Sequence, residues 1–317
     1  MAPGGVVVLC GGLGGARVAL ALQAAGLEGS ACFVTNVGDD LDVDGLLVCP
    51  DTDAVLYALA GCFDEERGWG VRDDTFTSGQ ASRPAWFRVG AEDRQHHELR
   101  AGLLDLGLPL GTATRRLAAA RGVRAAVVPV TDDAVRTRVR TADGTLTWQE
   151  WLVRDDAGPE PVAVEYPGAS EATASPAALT AIRSAAFVLV APSSPIGSIA
   201  PVLTIPGVRE ALAATPVVVL SPVVARRPPV CERDLRRHRA RAALLRSAGV
   251  RHDPVDVARW YRTLATTFVL DPADADDRPA VEALGLEAIV AEGRLTEVGG
   301  LQETIDALLS TGAESPV

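Results

Sequence analysis

Short apolar runs recur along the chain, and half of them are followed directly by proline, serine or aspartate. They are Val6 to Leu9, Ala31 to Thr35, Leu46 to Cys49, Val127 to Val130, Phe187 to Ala191, Val217 to Leu220, Thr267 to Leu270 and Ala288 to Val290. Their uninterrupted, mostly β-branched character predicts strands buried on both faces. Helical patterns lie between them, from Ala16 to Leu22, Ala54 to Leu59, about Glu232 to Ser247, Val255 to Tyr261, Val281 to Leu284 and Thr304 to Leu309. The alternation breaks between about Asp64 and Pro167, where Arg138 to Trp148, turning at Ala142-Asp143-Gly144, predicts an antiparallel hairpin. The pattern predicts an α/β protein with a Rossmann-like, doubly wound, mostly parallel sheet. It forms one domain over 1–317, with an α/β insertion over about 64–170.

Composition then narrows the function classes. With 317 residues the chain can bury a substantial core. Its formal net charge is −11, and no lysine occurs. An acidic chain is poorly suited to sequence-independent nucleic-acid binding or to anionic membranes, so neither partner is expected. No run of about 18 apolar residues is free of charge or glycine, so no spanning helix is expected. Cys10, Cys32, Cys49, Cys62 and Cys231 lie far apart with no CxxC pair, which predicts reduced thiols. Because no secretory pattern follows Met1, a cytoplasmic location is expected.

Candidate chemistry concentrates where strands end. The first run feeds directly into Gly11, Gly12, Gly14 and Gly15, with Arg17 in the helix that follows. Glycines let backbone N–H groups approach a ligand, a helix N-terminus adds partial positive charge, and Arg17 adds a full one; together they suit a phosphate. The spacing is neither a Walker A loop, for want of Lys-Ser/Thr, nor the dinucleotide fingerprint, since Arg17 stands at its last glycine. A merely tight strand-to-helix turn explains the same residues. The second run ends in Asn36-Val37-Gly38-Asp39-Asp40 and the third in Pro50-Asp51-Thr52-Asp53. If these strands are parallel neighbours, Asp39, Asp40, Asp51 and Asp53 gather beside the glycine turn. Carboxylates next to a phosphate repel it unless a cation intervenes, and Mg²⁺ held by one or two carboxylates plus phosphate oxygens fits. Helix capping is the competing account, above all for Asp51 and Asp53.

Further along, Trp69 between two glycines is a candidate for stacking on a flat ring, while Trp86, Trp148 and Trp151 are expected to fill a satellite core. Thr75 and Thr77 offer hydroxyls that a turn uses equally well. Ser193, Ser194 and Ser198 follow a strong strand and bring hydroxyls and amides to the same edge. Seven arginines between Arg226 and Arg241 form a basic run that reads either as a solvated helix face or as a guanidinium cluster facing an anion.

The stretches GGLGGAR, NVGDD, CPDTDAVLYALAG and GWGVRDDTF resemble the 2-phospho-L-lactate transferases of coenzyme F420 biosynthesis. LPLGTATRRLAAARGV, VVPVTDDAVRTRV, TWQEWLVR, APSSPIGSIAPVLTIPGVREAL and PVVVLSPVV continue the resemblance in order to about Val224. It implies a Mg²⁺-dependent transfer of a phospholactyl or phosphoenolpyruvyl group from a guanosine-diphosphate-activated donor to the ribityl hydroxyl of the deazaflavin FO, with release of GMP. It implies Asp39 and Asp53 as the catalytic and metal-binding residues. Asn36, Asp40, Asp93, His97 and Asp132 also keep family places and join the substrate-binding candidates. A homodimer is expected.

Departures at three places stand against this likeness. Ala91 and Glu92 occupy positions where the family carries an aspartate and the arginine associated with the deazaflavin. An anion in place of a cation inverts the local field. Beyond Val224, Ala225 to Cys231 replaces a glycine- and lysine-containing loop, and Ser194 stands at a usual asparagine. A paralogue acting on a different acceptor, or a non-catalytic nucleotide sensor, are the alternatives.

Overall fold

Seven of the eight apolar runs become the strands of one parallel sheet. The computed structural model describes residues 5–76, 84–227, 229 and 231–312, so Thr77 lies outside the described residues. In chain order the strands are β1 (Val6–Cys10), β2 (Ala31–Thr35), β3 (Leu41–Val43), β4 (Leu46–Val48), β5 (Ala126–Pro129) and β6 (Arg138–Thr141). They continue as β7 (Gly144–Thr147), β8 (Ala163–Glu165), β9 (Phe187–Val190), β10 (Val217–Leu220), β11 (Thr267–Leu270) and β12 (Glu287–Val290). Seven of them line up as β12-β11-β10-β9-β1-β2-β5 with every neighbouring pair parallel. The chain starts at the centre with β1, winds outward through β2 to β5, then returns to β9 and winds the other way. That reversal opens a crevice at the carboxyl ends of β1 and β9, the place where open α/β sheets bind ligands.

Helices cover both faces. They are α1 (Gly12–Ala24), α2 (Pro50–Leu59), α3 (Ala91–Asp105), α4 (Leu110–Ala120), α5 (Pro176–Ser184) and α6 (Ala200–Thr204). The remainder are α7 (Val208–Leu212), α8 (Glu232–Ser247), α9 (Pro254–Tyr261), α10 (Arg278–Glu282) and α11 (Val298–Gly312). Alternation along β1 divides the core. Val7 and Leu9 pack with buried residues of α5, α7, α8 and α9, whereas Val6, Val8 and Cys10 pack with α1, α2 and α11. No described helix is long and apolar enough to cross a membrane.

One expected strand is corrected. The run from Leu46 to Cys49 does not enter the parallel sheet; β4 pairs antiparallel with β3 in a separate hairpin. Asp44 and Gly45 turn that hairpin, both with positive φ (57° and 77°), which is the Asp-Gly signature of a tight turn. Asp51 and Asp53 therefore arrive on the first turn of α2 and not on a strand end of the sheet. Within 64–170, β5 joins the main sheet after α3 and α4, while β7-β6-β8 form a small antiparallel sheet. Trp148 and Trp151 are buried with ring centroids 5.5 Å apart, whereas Trp69 is 37% exposed.

Close packing at the crevice depends on Gly14. A Cβ there would stand 2.6 Å from Ser193 Oγ and 2.8 Å from the Pro192 carbonyl oxygen. Gly14→Ala is expected to lower the unfolding free energy by about 1–3 kcal/mol, measured by urea denaturation.

Candidate active site

The crevice holds a cavity of about 650 Å³, walled by the glycine turn, the start of α2, the segment after β9 and one face of α8. Gly11 caps α1, and Gly15 N–H donates to Gly11 O at 3.1 Å. Ser193 Oγ accepts from Gly11 N–H at 3.1 Å and donates to Gly11 O at 2.9 Å, tying the end of β9 to the turn. On the other side, the hydroxyls of Thr35 and Thr52 lie 2.8 Å apart and join β2 to α2. Asn36 Nδ2 then donates to both Asp39 Oδ1 and Asp51 Oδ2, each at 3.0 Å. Asp51 approaches the turn so closely that a side chain on Gly11 would run into it.

Burial, and then the charge of Asp51, push Asp39 well above the usual carboxylate range. Burial pushes Asp51 up to about 6, with Asn36 and Gly12 N–H partly offsetting it. The sign follows directly. The unfolded chain releases the Asp51 proton near pH 3.9, and the folded chain holds it to about pH 6. The stability contributed by Asp51 therefore falls as pH rises from about 4 through 6. Asp51→Asn is expected to flatten that fall, on the order of 3 kcal/mol; thermal unfolding at pH 4.5 and 7.5 checks it.

Asp53 has a different environment. Arg100 is fully buried, and its Nη2 hydrogen-bonds Asp53 Oδ1 while its Nη1 reaches Leu47 O at 3.0 Å and His97 Nδ1 at 3.3 Å. His96 Nε2 lies 3.1 Å from Asp53 Oδ1, and Cys49 N–H donates to Oδ2 at 3.3 Å. Burial works upward on Asp53, but Arg100 and His96 outweigh it and hold the carboxyl far below the usual range. Because arginine only donates, His97 Nδ1 is an acceptor and its Nε2 faces Asp93 Oδ1 at 3.2 Å. Tyr57 Oη donates to the same oxygen at 2.6 Å.

Arginines form the opposite wall. Arg233, Arg237 and Arg241 recur every four residues on α8 and line the cavity with Arg17, while Arg239 pairs outward with Glu232. Arg17 reaches Asp234 at 3.5 Å, and Arg237 donates to Gly68 O at 3.0 Å. Arg241 Nε is buried with no hydrogen-bond partner among the described residues. Burial, then neighbouring Arg17, lowers both Arg237 and Arg241 to about 10. Of these four guanidiniums only Arg17 and Arg233 pair with a carboxylate among the described residues, Asp234 in both cases, so this wall suits an anion.

Of the expected site residues, Gly11, Gly12, Gly14, Arg17, Asp39, Asp53, Trp69, Asp93, His97, Ser193, Ser194 and Ser198 meet at this cavity. The others lie behind or away from it. Asn36 acts through Asp39 and Asp51, and Gly15 lies close to Cys10 and Val55. Asp40 lines a neighbouring cavity. Asp132 accepts from Gly111 N–H in the first turn of α4, and Thr75 is exposed with its carbonyl taken by Ala91 N–H. Ser193 is chiefly a brace, and Ser194 Oγ caps the following turn through Gly197 N–H at 3.1 Å. Glu92 is exposed at the start of α3, outside the cavity wall. The replaced loop is pinned, with the backbone N–H groups of Ala225 and Arg226 on Asp274.

Sequence reading missed Arg100 and His96, and took Asp51 only as one of four acidic residues. The signal was present. Asp93, His96, His97 and Arg100 fall at i, i+3, i+4 and i+7, one helix face made of buried polar residues, while Leu99 and Leu106 on the same helix and its end are exposed. Among the described residues no group of three or more His, Cys, Asp or Glu is placed to hold a metal by itself.

Comparison with known proteins bears on this geometry. The family model of the 2-phospho-L-lactate transferase CofD matches residues 6–278. A phosphoenolpyruvate transferase of Streptomyces griseus is 36% identical over 305 residues, covering 92% of this chain and 93% of that one. A 2-phospho-L-lactate transferase of Methanosarcina mazei is 30% identical over 308 residues, covering 96% and 99%. A crystal structure of a UPF0052 family protein from Bacillus halodurans superposes with a TM-score of 0.62 at 15% identity, covering 96% and 99%, a likeness of fold.

Proposed function

This chain belongs to the 2-phospho-L-lactate transferase family, and from that premise we propose that it moves a phospholactyl or phosphoenolpyruvyl group from a guanosine-diphosphate-activated donor to the ribityl hydroxyl of FO. One observation supports this reading most. Across a single cavity, buried carboxylates face buried guanidiniums, with the amino end of α1 between them. A diphosphate joining two organic groups is the ligand that such a divided field holds.

Two adjacent buried carboxylates, both raised in pKa, form a donor set that a hard divalent cation relieves. Asp39 and Asp51 would hold Mg²⁺, and Asp53, already balanced by Arg100, faces the same space. Mg²⁺ there supplies neutralisation of the transferring phosphoryl group. The protein does the rest by placement. Arg17, Arg237 and Arg241 bind the nucleotide phosphates, the glycine turn lets them approach the backbone, and Asp53 orients the acceptor hydroxyl. The hydroxyl oxygen bonds to the phosphorus carrying the acid, the P–O bond to GMP breaks, GMP departs with that electron pair, and the hydroxyl proton is released to water. Little covalent help is needed for such a transfer.

Incubation with the guanosine diphosphate ester of lactate or enolpyruvate, FO and Mg²⁺, followed by mass, tests the reading. A phosphodiester product together with GMP is expected. Donor that binds and returns unchanged beside FO would favour a different acceptor.

A further inference from the structure

Asp39 borders two hollows. The second, about 270 Å³, lies between the Asp39 loop and the β6–β7 hairpin, and Asp39, Trp86, Trp148 and Gln149 belong to the walls of both. Three donors in a row along the chain line it: Arg136, Thr137 and Arg138. Thr137 is 1% exposed, and its Oγ1 has no hydrogen-bond partner among the described residues. Its backbone N–H donates to Gly38 O, which fixes the residue against the Asp39 loop. Arg138 is half-buried, and its guanidinium has no ion pair or hydrogen bond among the described residues. Arg136 uses one Nη1 contact, to Val135 O at 2.7 Å. The wall also carries Asp40, Asp42 and Glu150: Asp40, buried with Oδ1 without a partner among the described residues, is opposed by Arg136, and Glu150 pairs with Arg154.

A fixed hydroxyl and two guanidiniums with free donors are chemistry for a small, planar anion. The donor offers one. With its transferring phosphorus at Asp39, the nucleotide extends to the α8 arginines, and the acceptor must approach opposite the departing GMP. The acid substituent is left to leave sideways, and Asp39 is where the second hollow opens. We propose that this hollow seats the carboxylate of the donor's three-carbon acid, held by Arg136, Arg138 and the Thr137 hydroxyl. The assignment rests on the donor reading above and makes these residues the ones that distinguish an acid-bearing donor from bare GDP.

Calorimetry with Mg²⁺ and two probes, GDP and the guanosine diphosphate ester of lactate, separates the two claims. Arg138→Met and Arg136→Met are expected to weaken the ester on the order of 10- to 100-fold and to leave GDP within about twofold, which also reports that the variants are folded. Thr137→Val should show the same selective loss, smaller in size. Wild-type ester affinity in both arginine variants, with GDP bound normally, overturns the carboxylate seat and leaves the nucleotide reading standing. Failure of the wild-type protein to bind GDP overturns both.

Discussion

Asp39→Asn is expected to lower turnover by about 10²–10³-fold, the usual scale for removing one preorganised electrostatic group from a transfer site. The substitution is nearly isosteric, and Asn36 Nδ2, now donating to Asp39 Oδ1 at 3.0 Å, finds the same acceptor in an asparagine. Geometry is therefore retained while charge is lost. The folded protein should not suffer, because burial and Asp51 already disfavour the Asp39 charge; its melting temperature at pH 8 should equal or exceed the wild-type value. Loss of activity without loss of stability is the pattern of a group kept for chemistry. Full turnover in Asp39→Asn would remove Asp39 from the proposed centre.

Arg100→Met should have the largest effect on stability, about 3–5 kcal/mol, as for other buried pairs that lose one partner. Arg100 is fully buried, and Asp53 is 3% exposed, so no water takes over when the guanidinium is gone. The sign of the pH dependence is opposite to that of Asp51. Asp53 is held below its unfolded value, so its contribution is present above about pH 4 and is lost as pH falls toward the depressed folded value. Asp53→Asn added to Arg100→Met should recover part of the loss, since the stranded charge is then removed. Urea unfolding of the single and double variants measures both terms. A loss below about 1 kcal/mol, the scale of an exposed pair, would mean that the two charges do not depend on each other.

The placement of the acidic residues separates what was legible from what was not. The strand runs, their burial on both faces and the glycine turn leading into α1 were all local properties, and the sequence by itself determined them. Val6–Cys10 is apolar at every position because helices cover both sides of it. The departures at Glu92 and after Val224 were equally readable as residues. What they face was not: Glu92 lies outside the cavity, and the altered loop is pinned by Asp274.

Pairing was decided only by the tertiary structure. A four-residue apolar run reads the same in a parallel sheet and in a hairpin, so Leu46–Val48 carried no mark of its partner except the Asp44-Gly45 turn. The basic run admitted two readings until α8 turned Arg233, Arg237 and Arg241 inward. Asp51 and Asp53 sit two residues apart on one helix, yet one shares its charge with Asp39 and the other belongs to Arg100. Sequence determines which groups exist and which side of an element they take. The field each group feels comes from neighbours tens of residues away in the chain, and in a medium of low dielectric those neighbours decide whether a carboxylate is counter-balanced or left to hold a cation.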